Sequence, residues 1–270
     1  MSRPPSIYND RVVLVTGGTK GLGLGTARIF AAHGAQTVLT YRWGSADPDE
    51  IRNQFADIGA LEPMIVEADV ARGDDTKSLF ETMKKKFGRL DVFISNASNA
   101  ASVQSVEDLT ERAFLKSMRA CAWPTIEYTL AAKAHFGRYP RYVVVFSSDG
   151  PDHFTPAYDF VAGAKAATEA LARYLAYRLR GEDCLINVIR SRAIQTDSFT
   201  DMFGAEFHDF LRRIVPEDWL TTVEEVANAA FGLCSGMFDA MTGQVVIADR
   251  GNTFADGISL LYSERESLGL

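Results

Sequence analysis

The sequence predicts an α/β chain built as a single doubly wound parallel sheet of about seven strands with helices on both faces. Three observations lead there. Apolar runs of strand length recur along the 270 residues, and stretches of helical character separate them. The first run, Val12-Val13-Leu14-Val15, passes directly into a glycine-rich turn and an apolar helix. No repeat, low-complexity segment or change in composition divides the chain, so residues 1–270 are expected to form one nucleotide-binding domain.

Composition narrows the function classes. Hydrophobic residues make up 47% and charged residues 23%, the balance of a soluble globular protein. A formal charge of -7 offers no electrostatic reason to bind nucleic acid or an anionic membrane. No apolar run approaches the ~18 residues of a membrane span, and Met-Ser-Arg-Pro-Pro-Ser lacks a signal-peptide core, so a cytoplasmic location is expected. Cys121, Cys184 and Cys234 are widely spaced, and His33, His135, His153 and His208 show no ligand spacing. Neither a disulfide frame nor a metal centre is expected.

Taken in order, Val12 to Val15 reads as a buried parallel strand, and Thr16-Gly17-Gly18-Thr19-Lys20-Gly21-Leu22-Gly23 follows it. Gly17 permits the tight turn, Gly21 lets backbone approach a pyrophosphate, and Gly23 allows close helix packing, with the phosphates near the helix N-terminus. Gln36 to Thr40 is a second strand ending in Tyr41-Arg42, where a dinucleotide fold reads the adenosine ribose. An acid there would bind a free 2′-hydroxyl; Arg42, with Lys20, suits a 2′-phosphate, which favours NADPH over NADH. Arg42 also reads as a solvated loop residue.

Strands are expected at Pro63 to Glu67, before Asp69-Val70, and at Leu90 to Ser95, before Asn96-Ala97-Ser98. A helix is expected around Thr76 to Phe87 and another from about Glu107 to His135, broken or kinked at Pro124. The strand Tyr142 to Phe146 then leads into Ser147-Ser148, and a helix is expected to open with Thr155 as N-cap and Pro156 at its first position and to run to about Arg180. Strands Leu185 to Ile189 and Gln244 to Ile247 complete the sheet.

Tyr158 and Lys165 stand seven positions apart, nearly two helical turns, so both share one face about 10 Å apart. An ammonium near a phenol favours the phenolate and makes the phenol a usable proton donor near neutral pH, with Ser148 polarising the same oxygen. In isolation the pair reads equally as a helix-start tyrosine and a solvated lysine.

With these motifs in order, nearly the whole chain resembles the short-chain dehydrogenase/reductase family, which implies a Rossmann-type fold. Thr16 to Gly23, including Thr19, Lys20 and Leu22, is similar to that family's cofactor loop. Asp69-Val70 is similar to its adenine-contacting pair, and Ser95-Asn96-Ala97-Ser98 to a variant of its N-N-A-G turn. Leu185 to Asn187 and on through Ile194 and Thr196 resembles the strand and loop that hold the nicotinamide amide. The usual Y-x-x-x-K would place tyrosine at 161, where this chain has Val161; Tyr158 and Lys165 instead match the Y-x6-K spacing of the enoyl-acyl-carrier-protein reductase branch. Other departures are Cys121 in place of a helix asparagine, Ser191-Arg192 for Pro-Gly, and Asp249-Arg250-Gly251 for D-G-G. Arg190 and Arg192 read as salt-bridged structural residues, or as contacts for an acidic group on a substrate or carrier.

The resemblance implies an NADPH-dependent reductase in which Tyr158 protonates the oxygen that gains charge, Ser148 assists, and Lys165 binds the nicotinamide ribose and lowers the tyrosine pKa. An activated acyl or polyketide-like substrate is expected, with reduction of an enoyl thioester set ahead of reduction of a keto group. A catalytically silent NADPH-binding partner or sensor is the reading from another class. Residues 197–222, rich in Phe199, Phe203, Phe207 and Trp219, read as a substrate lid or as packing against the body or another subunit. Dimers or tetramers joined through the helices at about 107–135 and 156–180 are implied, with Ala134, Ala166 and Ala170 allowing close packing.

Overall fold

Val12 to Val15 alternate between two cores, and that alternation defines the layers. In the computed structural model, which describes residues 7–42, 47–99, 101–192, 194, 196, 204, 206, 210, 213 and 220–269, all four valine and leucine side chains of this strand are buried. Val13 and Val15 face one core and Val12 and Leu14 the other, because helices cover both faces of the sheet.

The elements run β1 (Val12–Val15), α1 (Gly21–Ala32), β2 (Gln36–Tyr41), α2 (Pro48–Asp57), β3 (Met64–Glu67), α3 (Gly73–Lys86), β4 (Val92–Ser95), α4 (Glu111–Cys121) and α5 (Trp123–Phe136). Then follow β5 (Tyr142–Ser148), α6 (Asp159–Arg178), β6 (Leu185–Ser191), α7 (Val223–Leu233), β7 (Val245–Ile247), α8 (Gly257–Ser263) and α9 (Arg265–Leu268). The seven strands lie in the order β3-β2-β1-β4-β5-β6-β7, every pair parallel. This is the doubly wound Rossmann-type sheet predicted. The chain reverses its direction of strand addition between β1 and β4, and in such sheets that switch point opens a crevice beyond the carboxyl ends of the strands.

One core packs Ala27, Phe30 and Val226 of α1 and α7 against the sheet; the other packs Leu79, Phe80, Tyr128 and Leu175 of α3, α5 and α6. Gly25 marks the closeness of α1 to α7, since a methyl there would stand 2.4 Å from Val223.

Three expectations are corrected. The stretch from 107 to 135 is two helices meeting at Ala122, with Pro124 in the first turn of α5, where its missing N–H costs nothing. The helix carrying Tyr158 opens at Asp159 with Tyr158 itself as N-cap, because Ala157 sits in the left-handed region at φ 62° and Tyr158 N–H closes a turn onto the Thr155 carbonyl. Helix α2 was not foreseen, although Asp47 caps it through the N–H groups of Asp49 and Glu50 and Pro48 opens it. Phe199, Phe203, Phe207 and Trp219 of the expected lid lie outside the described residues. Among the described residues no helix is long and apolar enough to cross a membrane.

Candidate active site

The turn after β1 is shaped by what its glycines lack. Gly17 and Gly21 take φ of 61° and 52°, in the left-handed region. A methyl on Gly23 would stand 2.3 Å from the Gly17 carbonyl oxygen and 2.6 Å from Asn96 Nδ2, so Gly23 serves the closure of the loop on itself more than helix-on-strand packing. The Asn96 amide donates to the carbonyls of Thr16 and Gly17 at 2.9 and 3.0 Å, while the Thr16 hydroxyl accepts the N–H groups of Asn96 and Ala97. Asn96, expected to bind cofactor, thus spends its side chain tying the ends of β1 and β4 together. Helix α1 begins beneath this loop with Lys20 as N-cap and no side-chain cap, so its first-turn amides are left for another acceptor. A backbone cradle that a single Cβ would fill, with a helix N-terminus behind it, fits the pyrophosphate of a dinucleotide. Gly23→Ala is expected to abolish cofactor binding and lower the melting temperature; calorimetric titration with NADPH and a thermal melt check both.

Around this loop Thr19, Val70 and Ile194 are buried, Lys20 is exposed, and Leu22 packs against the core. Thr196 lies over Gly21, with its Cγ2 3.5 Å from where a Cβ would stand. At the ribose end Tyr41 closes β2, and the guanidinium of Arg42 lies 3.7 Å from the Asp69 carboxylate, both partly exposed. Asp69 also accepts the Ala71 N–H at 2.9 Å.

Beyond β5 three further groups meet. The Ser148 hydroxyl is buried and stands close enough to the Tyr158 phenol to favour its ionised form. Burial dominates and holds that phenol above its ordinary pKa, with Asp149 and Cys121 acting in the same sense, which corrects the lowering expected from Lys165. Gly150 makes room for the ring: a Cβ there would lie 2.7 Å from Tyr158 Cε1. Lys165, only 8% exposed, donates from Nζ to the Phe146 carbonyl of β5 at 2.8 Å. Burial pushes the lysine pKa down, against the pull of Cys121 and Glu169. Cys121 therefore faces both catalytic candidates, and its Sγ lies 3.2 Å from Ser98 Oγ. Val161, where tyrosine more often stands, is buried in α6.

The structure thus gathers Ser148, Tyr158, Lys165, Cys121 and Ser98 at one end of the sheet, beside the glycine loop. Sequence reasoning did not foresee Gly150 beneath the tyrosine ring or the pairing of Glu169 with Arg190, whose oxygens and nitrogens meet at 2.7 Å. The reading of Arg190 and Arg192 as salt-bridged structural residues holds, but their partners were not named.

Known proteins similar to this chain fall in one family. A family model described as Enoyl-(Acyl carrier protein) reductase matches residues 17–253. An enoyl-[acyl-carrier-protein] reductase [NADH] of Enterococcus faecalis is 26% identical over 252 residues, spanning 89% of this chain and 95% of its own. The crystal structure of the enoyl-[acyl-carrier-protein] reductase (NADH) from Aquifex aeolicus superposes with a TM-score of 0.80 at 25% identity, covering 92% of this chain and 98% of that one. A short-chain dehydrogenase from Burkholderia cenocepacia, solved in complex with NADP, shares the fold at a TM-score of 0.78 and 22% identity, over 90% and 97% of the two chains.

Proposed function

The chain belongs to the short-chain dehydrogenase/reductase family, on its enoyl-(acyl carrier protein) reductase side, and from that premise we propose that it reduces the conjugated double bond of an acyl thioester with NADPH. The observation that carries the proposal is the convergence of the Tyr158 phenol, the buried Ser148 hydroxyl and the buried Lys165 ammonium, at the Y-x6-K spacing.

The nicotinamide, when bound, supplies a hydride. Gly17, Gly21 and the first turn of α1 would hold its pyrophosphate, Asp69 and Val70 its adenine, and Ile194 and Thr196 its amide. Lys165 would reach the nicotinamide ribose. Tyr158 Oη donates a hydrogen bond, then a proton, to the thioester oxygen that gains charge as the β-carbon is reduced. Ser148 holds the same oxygen from the strand end. Burial keeps Tyr158 protonated at neutral pH, the state a proton donor needs.

Reduction of a keto group is the second reading, because Ser148 and Tyr158 converging on one oxygen suit a ketone as well as a thioester. NADPH oxidation with a matched enoyl and β-ketoacyl thioester pair decides: an alcohol product, with no turnover of the enoyl compound, would reverse the order.

The NADPH preference rests on Arg42 and Lys20, and relatives that use NADH make it a property to be measured. Arg42→Ala is expected to lower the NADPH-to-NADH ratio of kcat/KM by ~10–100-fold, the worth of one charge-assisted contact. An unchanged ratio would remove Arg42 from cofactor choice. Self-association through α4, α5 and α6 is also expected. Phe114, Leu115, Trp123, Tyr174 and Tyr177 are exposed there, as are Ala134, Ala166 and Ala170, and light scattering of the purified protein measures the result.

A further inference from the structure

The segment that joins Ser148 to Tyr158 is fastened to the end of β6 at two points. Sheet register sets Arg190 beside Ser147 and Ser191 beside Ser148. From there Arg190 donates through Nε and Nη2 to the two oxygens of Glu169, each at 2.7 Å, and through Nη1 to Asp152 of the segment. Glu169 and Arg190 side chains are 4% and 11% exposed, and the Ser147 hydroxyl adds a third hydrogen bond to Glu169 at 2.7 Å. Arg173 approaches the same carboxylate at 3.9 Å. Two residues along β6, Arg192 meets Asp149 at 3.1 Å. Asp149 and Asp152 belong to one turn, because the Asp149 carbonyl accepts the N–H groups of Asp152 and His153.

These contacts surround parts that need placing. Gly150 lies between the two acids and beneath the Tyr158 ring. Ala157, the residue before Tyr158, is held at φ 62°, a conformation that costs an alanine ~1–2 kcal/mol and persists only where the surroundings impose it. A bidentate guanidinium–carboxylate pair fixes direction as well as distance, and inside a protein such a pair serves geometry better than stability. Arg192, just past the end of β6, provides the second fastening through Asp149.

Resting on the reading of Ser148 and Tyr158 as the groups that handle the proton, we propose that Arg190 with Glu169 and Asp152, reinforced by Arg192 with Asp149, is a positioning device that sets the Ser148 hydroxyl and Gly150 against the Tyr158 phenol. None of the five side chains touches substrate; they act through the segment 149–158. A displacement of about 1 Å at such a site can cost up to ~10²-fold in rate, so the device is measured in turnover and not in melting temperature.

The test uses Asp152→Asn and the double variant Asp149→Asn/Asp152→Asn, because Asp152 is 58% exposed and its loss leaves the buried Glu169–Arg190 pair in place. Amide hydrogen exchange is followed in peptides covering 149–158 and 165–178. Expected are faster exchange in the first peptide, unchanged exchange in the second, a ~10–100-fold fall in kcat and an unchanged KM for NADPH. Asp152→Glu is expected to restore part of kcat. Unchanged exchange over 149–158 in the double variant would overturn the proposal, and so would faster exchange with kcat intact. A wild-type protein that turns over neither thioester removes the reductase reading; the exchange measurement then decides by itself whether the segment is fastened as described.

Discussion

Replacing Tyr158 by phenylalanine is expected to leave cofactor affinity and the melting temperature near their wild-type values and to lower turnover by ~10²–10⁴-fold, the range of a lost general acid. The ring would stay, because its packing against Gly150 involves Cδ1 and Cε1 and not the hydroxyl. What leaves is the one phenolic proton aimed into the space that Ser148 also faces. The pH dependence follows from opposite shifts of two groups. Burial raises the Tyr158 pKa, so the phenol stays protonated through the neutral range. Burial lowers the Lys165 pKa from 10.5, so the lysine is the first of the two to lose its proton as pH rises. The alkaline fall in kcat/KM for NADPH, which reports the free enzyme, is therefore expected to follow the lysine and to begin below pH 10.5. A stopped assay with an enoyl thioester, run across pH for wild type and Tyr158→Phe, checks both statements. Wild-type turnover in the phenylalanine variant would remove Tyr158 from the chemistry.

Lys165→Met is expected to abolish turnover and at the same time to raise the melting temperature. The ammonium carries three donors, and the Phe146 carbonyl is the hydrogen-bond partner it is given among the described residues. Burying such a charge costs several kcal/mol, whereas a methionine of similar length fills the same buried volume without that cost. Leaving the Phe146 carbonyl without the lysine costs ~1–3 kcal/mol. The balance favours the variant by ~1–4 kcal/mol, as for other buried ions replaced by apolar groups. The sign with pH is fixed by linkage. A lysine whose folded-state pKa lies below its ordinary 10.5 binds its proton more tightly when unfolded, so wild-type stability rises with pH between those two values. The advantage of Lys165→Met is full below the depressed pKa and fades as pH approaches 10.5. Melts at pH 7 and 10 read this directly; a variant that melts below wild type at pH 7 would show that the lysine is structural.

The two substitutions separate roles that a single activity loss would merge. Tyr158→Phe removes a proton and little else. Lys165→Met removes a charge that destabilises the fold and that the family resemblance assigns to the nicotinamide ribose, so it should also weaken NADPH binding. A site shaped by selection for stability alone would not retain a lysine at 8% exposure with so few partners.

Much of the architecture was legible before any coordinates. Continuous apolar runs marked the strands, helical stretches separated them, and parallel order followed from that alternation. The glycine turn was legible because each glycine there answers to a local demand, a positive φ at Gly17 and Gly21 or a missing methyl at Gly23. The placement of Ser148 at the end of β5 and of Lys165 within α6 was legible for the same reason, since each is set within one strand or one helix. The opening of α6 was misjudged because Thr155-Pro156 is a sound start signal, and only the left-handed Ala157, tied by its carbonyl to Val103, moves the true start to Asp159. The binding role given to Asn96 did not anticipate that its amide would be used across two strands.

By itself, then, the sequence determined the doubly wound sheet, the glycine turn after β1 and the order in which Ser148, Tyr158 and Lys165 follow β5, because apolar runs, turn chemistry and residue spacing act over a few positions. Only the tertiary structure decided that Asp152, Glu169 and Arg190 form one network, that Gly150 lies under the Tyr158 ring, and that Arg11, Arg89 and Arg138 converge on the buried Asp91 at the opposite end of the sheet. Those partners are far apart in the chain and are brought together by strand register and helix docking, and no local pattern records which distant charge a buried carboxylate will meet.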